Sequence, residues 1–97
     1  MAEGGKGKLQ RAALGADDIA VLQYTGGTTG VSKGAVLLHR NLVANLLQAD
    51  AWHEPSLSKI PPGAQFVEVC ALPLYHIFAF TVGLMLSMRA GGKLILI

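Results

Sequence analysis

The fold turns on Ile19-Ala-Val-Leu-Gln-Tyr-Thr-Gly-Gly-Thr-Thr-Gly-Val-Ser-Lys-Gly-Ala-Val-Leu-Leu38. Its first six residues are, Gln23 apart, branched, apolar or aromatic and stop at a glycine-rich break, the pattern of a β-strand. Asp17 and Asp18 mark the turn into it. Residues 25–34 hold four glycines in ten positions, and glycine reaches left-handed backbone angles at little steric cost, so this loop can fold tightly. Ala35-Val-Leu-Leu38 is a short apolar run suited to a second strand. Strand, loop and strand can therefore close as a long hairpin, unlike a loop that opens directly into a helix.

Beyond the hairpin the spacing becomes helical. Leu42, Val43, Leu46 and Leu47 share one face, with Arg40, Asn41, Asn45 and Gln48 largely elsewhere, which predicts an amphipathic helix of about three turns. It is expected to end before Pro55 and a surface loop at Pro61-Pro62-Gly63, since proline cannot continue a helix. Residues 66–72 read as a buried strand stopped by Pro73. After Leu74-Tyr75-His76, residues 77–88 read as a mostly apolar helix, closed by Arg89 and then Gly91-Gly92. The stripe Ile77, Phe80, Leu84 and Met88, and Trp52, are expected in the core. Lys93-Leu-Ile-Leu-Ile97 begins another strand with no turn or cap after it, so the sequence reads as truncated inside an element. Strand, loop, strand, helix, strand, helix, strand is an α/β pattern. Residues 1–16, glycine-rich, basic and aperiodic, are expected to be a flexible leader or linker, and residues 17–97 a partial domain.

Composition points the same way. A chain of 97 residues makes one small domain with a modest core, burying about 60–70% of its unfolded surface. Yet it is 52% hydrophobic and 14% charged, where an average domain is about 25% charged. That surplus fits a piece from the interior of something larger. After Glu68 the only formally charged side chains are Arg89 and Lys93, so the last third reads as buried. The net charge of +2 comes mainly from Lys6, Lys8 and Arg11, without the density or aromatic interleaving of a nucleic-acid surface, and no nucleic-acid partner is expected. Cys70 has no internal partner for a disulfide and lies in an apolar run, which fits a buried thiol in a reducing cytoplasm. The N-terminus lacks the apolar region of a secretory signal. Residues 69–88 carry no charge and are long enough to span a bilayer, but Pro73, Tyr75 and His76 interrupt them, and the remaining apolar run is of buried-helix length.

The chemistry sits in residues 25–34. A phosphate-binding loop presents backbone N–H groups and hydroxyls unobstructed, and gains from one mobile cation. Gly26, Gly27 and Gly30 allow close approach, Thr25, Thr28 and Thr29 supply hydroxyls for phosphate or a metal ion, and Lys33 supplies a compact ammonium. The Walker pattern fails: Lys33 follows Ser32 and precedes Gly34, and a strand-like run follows instead of a helix. A plain hairpin loop would explain the glycines, but not three threonines and a Lys-Gly at fixed spacing.

Tyr24-Thr-Gly-Gly-Thr-Thr-Gly-Val-Ser-Lys-Gly34 resembles the phosphate-loop signature of the adenylate-forming acyl-CoA synthetases, with Ser32 where proline is common. His39-Arg40-Asn41-Leu42 and Leu72-Pro-Leu-Tyr-His-Ile-Phe78 resemble the family's next segments, and with Gly27 the chain looks most like bacterial long-chain fatty acid CoA ligases. The resemblance implies part of a large N-terminal domain. It implies that Tyr24, Thr25, Gly26, Gly27, Thr28, Thr29, Gly30, Val31, Ser32, Lys33, Gly34 and Ala35 bind ATP, with Thr25 a magnesium (Mg2+) contact, Lys33 near the leaving pyrophosphate, and His76 a catalytic residue beside the acyl pocket and adenylate. It implies activation of a fatty acid to acyl-AMP and transfer to coenzyme A, at most peripheral membrane contact, and partnership with the rest of the same enzyme. The family's later glutamate and aspartate motifs and its C-terminal lysine domain do not occur in these residues, so the polypeptide alone is expected to be inactive. From the residues alone, a histidine packed between Tyr75 and Phe78 is the other reading of His76, and a short non-catalytic phosphate-binding or interaction protein is the other reading of the chain.

Overall fold

A computed structural model describes residues 10–25 and 30–97, apart from the side chain of Thr25. Strand β1, Ile19–Thr25, pairs antiparallel with β2, Lys33–Leu38, as a hairpin. The register runs from Ile19 opposite Leu38 to Thr25 opposite Lys33, with one irregularity between Ile19 and Val21.

β2 passes without a loop into helix α1, His39–Leu57. The first helical N–H groups lack partners inside a helix, and here the preceding chain supplies them. His39 N–H donates to the Asp18 carbonyl at 3.1 Å and Arg40 N–H to that of Ala16 at 3.0 Å. Asn41 Oδ1 accepts from the Leu38 N–H at 2.9 Å, and the Arg40 guanidinium meets the Asp17 carboxylate at 2.6 Å. The turn at residues 15–18 is thereby fastened to the helix start.

α1 is longer than its sequence predicts, because Pro55 lies inside it. Proline removes one donor, and so close to the helix end that loss is local: the Ser58 N–H still bonds the Glu54 carbonyl at 2.9 Å. The predicted apolar face is also only partly covered, since Leu42 is buried while Val43 and Leu47 are about half exposed.

Strand β3, Val67–Cys70, is parallel to β4, Lys93–Leu96, with Val67 opposite Lys93 and Cys70 opposite Leu96. Parallel neighbours need a crossover. It is made by the π-helix Ala79–Met85, which runs directly into a short helix α2, Leu86–Arg89. β3, crossover and β4 form the α/β unit that the order of elements predicts.

The crossover buries Ala79, Thr81, Gly83, Leu86 and Ser87, whereas Met88 is 72% exposed. The expected stripe is thus not the buried one. Bonds from i to i+5 in the π-helix turn successive residues through a different angle from an α-helix, so a 3.6-residue period picks the wrong face. Trp52, expected in the core, is 82% exposed on α1. Val67 and Val69 are exposed too, while Cys70 is buried, and its thiol donates to the Leu72 carbonyl. The two buried polar side chains found among the described residues are satisfied. Thr81 Oγ1 donates to the Ile77 carbonyl, and Ser87 Oγ donates to a Glu68 carboxylate oxygen at 2.9 Å.

α2 ends as a Schellman motif. The Gly92 N–H donates to the Ser87 carbonyl at 2.7 Å and the Gly91 N–H to that of Met88 at 3.3 Å. Gly91 has a φ of 64°, left-handed as that motif requires. The chain then enters β4 through the Lys93 N–H, bonded to the Phe66 carbonyl at 2.7 Å. Among the described residues no helix is long and apolar enough to cross a membrane.

Candidate functional site

The turn end of the hairpin carries the candidate loop. Thr25 and Lys33 stand opposite each other there, so the residue types expected to meet metal and phosphate flank the loop across one strand pair. Gly26, Gly27, Thr28 and Thr29 lie outside the described residues. Gly30, Val31 and Ser32 are exposed, Gly30 with a φ of 103°.

Tyr24 stands opposite Gly34, and its ring lies over that glycine: a Cβ at Gly34 would come 2.9 Å from the ring's Cζ. The two sides of the loop are thus held by backbone bonds, and the Tyr24 ring rests in a position that a side chain at residue 34 would displace. Residues opposite each other in a ladder share a face, and alternate residues along a strand do as well. Gln23, Ala35 and Lys33 therefore share one face of the hairpin, with Tyr24 and Gly34 on the other.

The Gln23 face meets the Pro73-Leu74-Tyr75-His76 turn. Gln23 Nε2 donates to the Tyr75 carbonyl at 2.9 Å and to its neighbour Tyr24's carbonyl at 3.3 Å. The same strand borders a cleft of about 470 Å³ lined by Val21, Gln23, Tyr24, Leu74, Tyr75 and Phe80 among others. Its walls are largely apolar, with strand, turn and helix each contributing.

His76 closes the turn: its N–H donates to the Pro73 carbonyl at 2.8 Å. It immediately precedes the first helical residue, Ile77, and its Nδ1 accepts from the Phe78 N–H at 3.3 Å. An imidazole in this role caps the helix as an asparagine would. With Nδ1 accepting, a neutral imidazole carries its proton on Nε2. His76 is exposed in this chain.

A second cleft of about 430 Å³ lies between α1 and the crossover, lined by Asn41, Leu42, Asn45, Ile77, Phe78 and Thr81 among others. Among the described residues no three His, Cys, Asp or Glu side chains gather as a metal site. Gln23 and the capping role of His76 were not visible in the sequence, because each depends on a contact formed only when the turn folds.

Residues 2–97 match the family described as AMP-binding enzyme. The chain is 56% identical over 81 residues to a long-chain-fatty-acid--CoA ligase of Escherichia coli O157:H7, an alignment covering 84% of this chain and 14% of that protein. Among solved structures it is similar to apo MatB from Rhodopseudomonas palustris, with a TM-score of 0.71 and 34% identity over 93% of this chain and 16% of that one. It is similar also to the ATP-bound form of that protein, with a TM-score of 0.68 and 38% identity over 86% of this chain and 15% of that one. The chain thus spans about 14% of the length of the curated relative.

Proposed function

Because the chain belongs to the AMP-binding enzyme family, we propose that it is the phosphate-loop portion of an ATP-dependent long-chain fatty acid CoA ligase. The observation that carries this reading is the register of the hairpin, which sets Lys33 opposite Thr25 on either side of the glycine-threonine loop. In the proposed reaction a fatty carboxylate attacks the α-phosphorus of ATP, giving acyl-AMP and pyrophosphate, and the thiol of coenzyme A then displaces AMP.

The loop's part is electrostatic. Negative charge grows on the departing pyrophosphate, and donors already in place stabilise it without reorganising. Residues 24–35 hold the β- and γ-phosphates, and the Lys33 ammonium follows the charge as it moves. Magnesium, when bound with the triphosphate at the Thr25 hydroxyl, supplies further charge neutralisation. His76 serves the acyl group and adenylate in this reading, its ring oriented by the bond that Nδ1 accepts from the Phe78 N–H. The enzyme works in the cytoplasm, with peripheral membrane contact for fatty acid uptake.

The test is ATP–pyrophosphate exchange and acyl-CoA formation by the full-length ligase carrying this segment. Lys33→Ala is expected to slow exchange by about a hundredfold, the usual cost of removing one transition-state donor, and Thr25→Ala to weaken the dependence of rate on magnesium. Wild-type rates in both variants would reject the assigned loop roles.

A further inference from the structure

Gln23 lies outside the residues that the loop motif assigns, yet it is the side chain joining β1 to the Pro73-Leu74-Tyr75-His76 turn. The atoms it approaches are both carbonyl oxygens, those of Tyr24 and Tyr75. Only the NH2 end of an amide can serve both, which fixes its orientation chemically. It sits two residues before Thr25, where β1 ends, and its partner Tyr75 directly precedes His76. The bridge therefore joins the strand that enters the phosphate loop directly to the turn that carries the imidazole.

We infer that Gln23 is a positioning residue that sets the phosphate loop and His76 in register for the adenylation step. This rests on the ligase reading above. Severing the bridge leaves each flanking subsite intact, because the hairpin is held by its own ladder and the turn by the Pro73 carbonyl and the imidazole cap. What loosens is the distance between them. Reaction rates depend steeply on such distances, a misplacement of about 1 Å costing up to a hundredfold. Adenylation needs phosphates and carboxylate held together, whereas thioester formation starts after pyrophosphate has left. The two half-reactions should therefore respond differently.

The experiment compares wild type, Gln23→Met and Gln23→Glu in the full-length ligase carrying this segment. Both substitutions keep the length of the side chain and remove its donor. Exchange of pyrophosphate into ATP with palmitate is expected to fall about tenfold in kcat, the scale of one lost hydrogen bond, with KM for ATP and for palmitate each within twofold. Thioester formation from supplied palmitoyl-adenylate and coenzyme A is expected at the wild-type rate. Unchanged exchange in both variants, or an equal fall of both half-reactions together with a lowered melting temperature, overturns the inference and leaves the ligase reading standing. A wild-type enzyme that shows no exchange at all overturns the ligase reading and this inference with it.

Discussion

At Gly34 one missing carbon decides where a ring can lie. An added Cβ would meet three atoms of the Tyr24 ring at 2.9 to 3.1 Å, but that ring is 61% exposed and free to swing away. Gly34→Ala also gains strand propensity. Its effect on stability is therefore expected within about 1 kcal/mol, measured by denaturant unfolding, while pyrophosphate exchange falls several-fold as the ring leaves the loop. If the ring is the cause, Tyr24→Ala and Tyr24→Ala/Gly34→Ala should exchange at the same rate, since neighbours in contact are not additive. The sequence already carried the spacing from Thr25 to Lys33, because a loop's chemistry is local. It did not carry Gln23, whose partner Tyr75 is 52 residues away and is a backbone atom with no residue type to recognise. The exposure of Trp52 was equally invisible: a large aromatic reads as core until the face it occupies is known.

Among the elements, the junction between α2 and β4 is the most constrained. Gly91 needs its left-handed angle, so Gly91→Ala is expected to cost about 1–2 kcal/mol. At Gly92 the obstacle is different, for a Cβ would land 2.6 Å from Phe66 Cδ1 and 3.1 Å from the Phe66 carbonyl oxygen. That carbonyl is held by the Lys93 N–H and cannot retreat, so Gly92→Ala should cost about 1–3 kcal/mol as overpacking does. Thermal melting of the two variants beside wild type checks both values. The element order was readable from the sequence throughout, since alternation of apolar runs with glycine and proline breaks is a local signal. Boundaries and faces were less so. Pro55 reads as a stop but is absorbed near a helix end, and the π-helix rotates its burial onto Ala79, Thr81 and Gly83, small residues that no apolar stripe would select.

For the whole molecule, the excess of apolar residues in the composition reappears as exposed surface. Leu22, Val36, Val67, Val69 and Leu96 are all more than half exposed on strands. The Cα radius of gyration is 16.4 Å, where a compact chain of about 100 residues has about 13 Å. Large contiguous apolar surface drives association, so the isolated 97-residue polypeptide is expected to self-associate in size-exclusion chromatography, to bind a hydrophobic dye, and to show no acyl-CoA formation. A monodisperse, dye-silent polypeptide that binds ATP would instead favour a short phosphate-binding protein. The π-helical crossover has a consequence for comparing such chains. A helix bonded from i to i+5 holds about one residue more in each turn than one bonded from i to i+4, so residues 79–85 hold spare length between two strands in fixed register. Loss of a residue there can be absorbed by rewinding. An alignment of relatives that differ in length between β3 and β4 should place its gaps in this helix, where a loop would ordinarily be chosen.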